Sequence, residues 1–106
     1  MNSESNWQNM SLIEQLGNIG SEVGRAKIAQ ETEDDRFQGA VKRALELFDR
    51  TLSDSRWSDR IDEIKMAKDC FVDATTNRAQ KFHTTLADLD TYFMYFAMAT
   101  MQQYDN

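Results

Sequence analysis

Residues 11–31 read SLIEQLGNIGSEVGRAKIAQE, and this stretch decides the fold. Its apolar side chains recur in steps of four, three, four and three residues, at Leu12, Leu16, Ile19, Val23 and Ala26. That spacing places them on one face of an α-helix. Ser11 suits the N-cap position, because its hydroxyl can accept a backbone N–H of the first turn. The stretch therefore predicts a first helix near residues 11–31.

The same periodicity predicts three further helices, near residues 33–53, 55–75 and 85–103. Thr85 followed by Asp88 resembles a capping box and predicts where the fourth helix begins. The expected inward-facing residues are Phe37, Val41, Ala44, Leu45, Phe48 and Leu52, then Trp57, Ile61, Ile64, Ala67, Phe71 and Ala74, then Phe93, Phe96 and Ala97. Four such helices with short polar connections predict an all-α, single-domain antiparallel four-helix bundle over residues 11–106, after a polar tail over residues 1–10.

Composition agrees with a helical protein that carries few turn-forming residues. The 106 residues include no proline and four glycines, where average usage is about 5% and 7%. Eighteen acidic and 12 basic residues give a net charge of -6, which disfavours binding to DNA or to an anionic membrane surface. No apolar run is long enough to span a membrane. A single cysteine and a polar N-terminus without a signal-peptide pattern lead us to expect a cytoplasmic protein.

Three of the glycines, Gly17, Gly20 and Gly24, form one stripe on the first helix. Glycine inside a helix costs roughly 0.5–1 kcal/mol relative to alanine, so a compensating close approach is expected. The neighbour is another helix of the same bundle, a second chain, or a ligand. We include all three glycines among the candidate interface residues.

The fourth helix contains an unusual aromatic and methionine run, YFMYFAMA, over residues 92–99. One interpretation is a central helix buried on all sides. The other is an oligomer interface, because one inward stripe has no room for Tyr92, Tyr95 and either Met94 or Met98, and Tyr and Met are enriched at interfaces. We take Tyr92, Tyr95 and Met98 as the candidate interface residues on this helix. We favour the second interpretation and predict a homodimer.

The predicted loop before the fourth helix contains the only histidine. Residues 78–83, RAQKFH, have the form R-x4-H, which resembles the R-x4–6-H motif of the HEPN superfamily, small helical bundles that include dimeric, metal-independent ribonucleases. The resemblance implies a general acid/base role for His83, a phosphate-binding role for Arg78, and added positive charge from Lys81. RNA is an expected ligand only under this alternative. The other interpretation is a solvated loop.

Metal and cofactor sites have no sequence support. The chain has one cysteine and one histidine, too few for a structural zinc site, and it lacks the Glu-x-x-His pairs of di-iron bundles. It also lacks a phosphate-binding glycine loop. Cys70 lies beside an apolar stripe and is expected to be packing rather than a nucleophile.

Four segments together carry a broader resemblance: GNIGSEV at 17–23, RALELFD at 43–49, RW at 56–57, and DLDTYF with FA within 88–97. The chain resembles a family of small bacterial and archaeal all-helical proteins to which no activity is assigned. Within these segments, Asn18 and Glu22 lie one turn apart and form either a buried hydrogen-bonded pair or a small recognition site. We therefore expect a non-enzymatic interaction or regulatory module, with the ribonuclease as the alternative.

Overall fold

The computed structural model describes residues 7–105, except for the side chains of residues 97 and 100–105. It is an all-α four-helix bundle, as predicted, with dimensions of 36 × 27 × 27 Å. The helices are α1 (Leu12–Glu31), α2 (Phe37–Leu52), α3 (Ile61–Thr76) and α4 (Leu86–Asp105), with a 3-10 helix (Ser55–Arg60) before α3.

Two helices begin at the predicted capping residues. The Ser11 hydroxyl accepts the backbone N–H of Glu14 at 3.2 Å, and the Glu14 carboxylate accepts the backbone N–H of Ser11 at 3.2 Å. Thr85 and Asp88 form the same reciprocal pair, with distances of 3.1 and 3.0 Å. Each pair satisfies two backbone donors that a helix N-terminus leaves free.

α2 begins at Phe37, later than predicted, because residues after α1 form a C-terminal cap. Glu33 adopts a left-handed conformation with φ 54°. Its N–H donates to the Gln30 carbonyl at 3.3 Å, and the Asp34 N–H donates to the Ala29 carbonyl at 2.8 Å. This is a Schellman motif with glutamate where glycine is usual, so residues 33–36 connect the helices instead of starting α2.

The predicted third helix is divided into two parts. The Asp54 carboxylate accepts the Arg56 N–H at 3.1 Å and opens the 3-10 helix, in which Trp57 leaves helical geometry (φ -107°, ψ 22°). A 3-10 helix has three residues per turn instead of 3.6, so the inward stripe does not continue in phase. Ile61, predicted to face inward, is consequently exposed.

The core is centred on α1, which packs against both α2 and α4. The structure therefore does not give α4 the central position that one interpretation of its aromatic run required. Phe48 of α2 joins the helices by ring contacts to Phe71 of α3 and Phe93 of α4, with centroids 5.8 and 5.9 Å apart. The buried residues of α1 include all of its predicted stripe except Leu12, which is half-buried.

The N-terminal segment is attached to the bundle from Trp7 onward. Trp7 is buried in the hydrophobic core, and its carbonyl accepts the Met10 N–H at 3.1 Å. Trp7 and Met10 therefore pack on the bundle, although both fall within the polar tail predicted over residues 1–10. Residues 1–6 lie outside the described part.

Within residues 7–105, no helix combines the length and the apolar character needed to cross a bilayer.

Candidate functional site

One face of α4 exposes large apolar side chains. Met94, Tyr95 and Met98 are 52%, 69% and 51% exposed, and Thr91 lies beside them. Positions 91, 94, 95 and 98 share one side of a helix, which we call the outer α4 face. Its opposite side carries the buried Leu89 and Phe93. Two of the predicted interface residues, Tyr95 and Met98, thus lie together on an open surface.

The glycine stripe of α1 has its close neighbour within the same chain. A Cβ added to Gly20 would lie 2.6 Å from the Cβ of Phe93, and one added to Gly24 would lie 3.2 Å from Oδ1 of Asp90. The sequence left three neighbours open for this stripe, and at Gly20 and Gly24 the neighbour is α4 of the same chain. At Gly20, α4 fills the space that a second chain would need. The carbonyl of Gly17, one turn earlier, accepts the Ser21 hydroxyl at 3.3 Å within α1.

A groove separates α3 from α4, because these two helices touch far less than α1 and α4 do. We call it the α3–α4 groove. Its volume is about 320 Å³ and its surface is almost wholly apolar. The lining residues are Glu63, Met66, Ala67, Cys70, Thr84, Asp88, Leu89 and Tyr92.

Tyr92 closes one end of this groove, so its place differs from that of the other predicted interface residues. Its hydroxyl donates to Oε1 of Glu63 at 2.8 Å, while Oε2 of Glu63 accepts Arg60 at 2.7 Å. Partial burial and the Glu63 carboxylate raise the pKa of Tyr92 to about 12. The hydrogen bonds from Arg60 and Tyr92 lower the pKa of Glu63. Tyr92 therefore stays a neutral donor that ties α4 to α3.

A buried polar network fixes the corner where the N-terminal segment meets the 3-10 helix. Gln15 is fully buried; its Oε1 accepts the Thr51 hydroxyl and the Trp57 indole N–H, both at 3.0 Å. Its Nε2 donates to the Trp7 carbonyl at 2.9 Å and to Oδ2 of Asp54 at 3.3 Å. Sequence analysis missed Gln15 and Thr51, because a polar residue next to an apolar stripe usually faces water.

The Arg78–His83 pair lies in the loop between α3 and α4. Both side chains are exposed, and both residues have positive φ, 52° and 60°. Neither side chain makes a hydrogen bond within the described residues. The ribonuclease hypothesis therefore stays a prediction from the sequence.

Asp73, which sequence analysis did not select, organises this loop. It is buried, and its carboxylate accepts the backbone N–H groups of Lys81 and Phe82 and the side-chain amide of Asn77, at 2.9–3.2 Å. Burial alone would raise the pKa of Asp73, but these hydrogen bonds and the nearby His83 outweigh it and lower the pKa. A carboxylate at this position replaces the glycine or proline that loops commonly use.

Asn18 and Glu22 bind other partners instead of each other. The Asn18 side chain donates to the Glu14 carbonyl at 2.8 Å. Glu22 pairs with Arg25 at 2.8 Å and with Arg43 of α2 at 3.1 Å. Glu22 therefore links α1 to α2, and the hydrogen-bonded Asn18–Glu22 pair considered from the sequence is not formed.

The part of the chain that the structure describes holds no group of three or more His, Cys, Asp or Glu side chains placed to share a metal ion. Cys70 is buried as a free thiol.

Comparison of the chain with protein-family models, with curated proteins and with solved structures finds no match.

Proposed function

We propose that this protein is a non-enzymatic interaction module that acts as a homodimer through the outer α4 face. The observation that carries the proposal is the exposure of Met94, Tyr95 and Met98 side by side on one helix. Contiguous exposed apolar residues mark interaction surfaces, and Tyr and Met are among the types enriched there.

Charge supports a second copy of the same chain as the occupant. The protein carries a net charge of -6, so two copies repel each other least where they meet through an uncharged surface. Residues 91–104, TYFMYFAMATMQQY, contain no charged side chain. The outer α4 face lies within this stretch, and a two-fold axis places it against itself without opposing like charges.

The length of α4 also suits a symmetric contact. A 20-residue helix is about 30 Å long, and the longest dimension of the bundle is 36 Å. Two copies of α4 packed side by side therefore extend over most of the bundle. The exposed methionines adapt to a facing helix, because their side chains are flexible and polarizable.

Photo-crosslinking tests this contact at a chosen residue. We expect Tyr95→p-benzoylphenylalanine to give a covalent species of twice the 12.3 kDa chain mass on irradiation. The matched control is Ile28→p-benzoylphenylalanine, since Ile28 of α1 is 62% exposed but lies outside the proposed contact. Equal crosslinking at the two positions would refute the assignment of the outer α4 face.

We also propose that the protein acts in the cytoplasm. Cys70 is a free, buried thiol and the only cysteine of the chain. An unpaired thiol suits a reducing compartment, which supports action in the cytoplasm.

A further inference from the structure

The α3–α4 groove is a second apolar surface, separate from the outer α4 face. Ala67, Cys70 and Leu89 line it, and Met66 stands on its α3 side with 52% of its surface exposed. On α4, the groove residue Leu89 lies on the side opposite the outer α4 face, whereas Asp88 is next to that face, on the same side of the helix as Tyr95. The contact proposed for the homodimer therefore leaves the apolar floor of the groove at Leu89 uncovered.

One acidic side chain from each helix lines the groove. Glu63 lines it on α3 and Asp88 lines it on α4. Asp62 is exposed and lies one turn before Met66 on α3. Asp69 lines a separate pocket together with Val72 and Lys81. The basic side chain of Arg60 is paired with Glu63 at 2.7 Å.

The basic side chains of α3 lie on another side of that helix. Lys68 reaches Asp49 of α2 at 2.7 Å, and Lys65, three residues earlier, shares its side. Of these two lysines, Lys68 faces α2, while Lys65 lies one turn from both Asp62 and Asp69. The acidic side chains that line the groove itself are Glu63 and Asp88.

We propose that the α3–α4 groove binds one amphipathic helix of a protein partner, with apolar residues on one side and Lys or Arg along its flanks. The apolar lining receives the anchor residues, and a flexible methionine adapts to their shapes. The acidic rim attracts the basic flanks and selects against acidic partners. A second copy of this chain is disfavoured in the groove, because its own α3 and the first turn of its α4 carry Asp62, Glu63, Asp69 and Asp88.

Two synthetic peptides test the required chemistry. Both are helix-forming, about 18 residues long, with leucine at i, i+3, i+4 and i+7; one has lysine and the other glutamate on the flanks. Fluorescence anisotropy of a labelled peptide measures binding. We expect the lysine peptide to bind at least about tenfold more tightly than the glutamate peptide, and more weakly as the salt concentration rises. Equal binding of the two would overturn the proposal.

A pair of variants separates groove binding from adsorption to an acidic protein. Met66→Asp places a charge in the groove, and Ile28→Asp places the same charge on an exposed site of α1. Adsorption of a cationic peptide would increase in both variants alike. Binding in the groove instead falls at least about tenfold in Met66→Asp, the equivalent of losing one buried apolar anchor, and stays within about twofold in Ile28→Asp. Equal affinities of the two variants would refute the groove.

The reactivity of Cys70 gives an independent measure of groove occupancy in the unaltered protein. Cys70 is the only cysteine and it lines the groove, so saturation with the lysine peptide should slow its reaction with a maleimide. An unchanged rate would contradict the proposal.

The dimer provides a further test of the groove. A Met66→Asp protein that no longer dimerises would also overturn the groove proposal, because the groove would then belong to the contact between copies. The proposal does not need the dimer: peptide binding by a monomer would refute the homodimer and leave the groove intact.

Discussion

Gly20 of α1 and Phe93 of α4 touch so closely that a Cβ on Gly20 would lie 2.6 Å from the Cβ of Phe93. Phe93 is almost fully buried and contacts the ring of Phe48, so it has little room to move. The close approach of these two helices therefore depends on the missing side chain of Gly20.

Gly20→Ala is expected to destabilise the fold by about 1–3 kcal/mol, because overpacking outweighs the gain in helix propensity. Chemical denaturation monitored by circular dichroism measures the free energy of unfolding. The matched control is Gly39→Ala in α2, where the new Cβ meets only the end of the Arg43 side chain, at 3.3 Å. This control is expected to be neutral or to stabilise by up to about 1 kcal/mol. The same sign for both variants would contradict the packing described.

Gln15 is the residue on which the N-terminal corner depends. Gln15→Leu keeps the size but removes the partners of the Thr51 hydroxyl and the Trp57 indole N–H. We expect a loss of roughly 2–4 kcal/mol, since buried polar groups lose their hydrogen bonds. Thr51→Val should lower the unfolding free energy less in the Gln15→Leu background than in the unaltered protein. In that background the Thr51 hydroxyl has already lost its partner. Additive losses in this double-mutant cycle would argue against the network.

Asp54 makes the stability of the fold depend on pH. The Arg56 side chain and backbone and the Gln15 amide outweigh partial burial and lower the pKa of the Asp54 carboxyl to about 2. A lowered pKa in the folded state gives stability above the unfolded-chain value of about 3.9, and this stability is lost as the pH falls toward 2.

Asp54→Asn should therefore cost about 1–2 kcal/mol at neutral pH, since solvent screens part of the pairing with Arg56. The difference in unfolding free energy between Asp54→Asn and the unaltered protein should shrink as the pH falls from 4 to about 2. Urea titrations at several pH values test this. Asp59→Asn, in the exposed part of the same 3-10 helix, should change the unfolding free energy by less than about 0.5 kcal/mol. A difference that stayed constant down to pH 2 would show that the Asp54 charge is not involved.

The fold was predictable because it follows from local signals. The apolar spacing of residues 11–31 and the capping pair of Thr85 with Asp88 both depend on side chains close in sequence. The start of α2 was not predictable in this way. Glutamate rarely occupies the left-handed position of a Schellman motif, so Glu33 gave no indication of a helix end.

In the candidate site, too, some features were predictable from the sequence and others were not. Exposure of Tyr95 and Met98 was predictable, because an inward stripe has room for only part of the aromatic run. The role of Tyr92 was not, since its partner Glu63 is 29 residues away in the chain. The α3–α4 groove likewise results from the angle between two helices, which periodicity within one helix does not determine. Burial of Gln15 depends on Trp7, Thr51 and Trp57, which only the folded chain brings together.

The mass of the protein in solution, measured by sedimentation equilibrium, tests the homodimer most directly. We expect a mass of twice 12.3 kDa for the unaltered chain and of one chain for Tyr95→Asp, because that substitution places a charge on the outer α4 face. Ile28→Asp should leave the dimer unchanged. A single-chain mass for the unaltered protein at high concentration, or a Tyr95→Asp protein that still dimerises, would contradict the account.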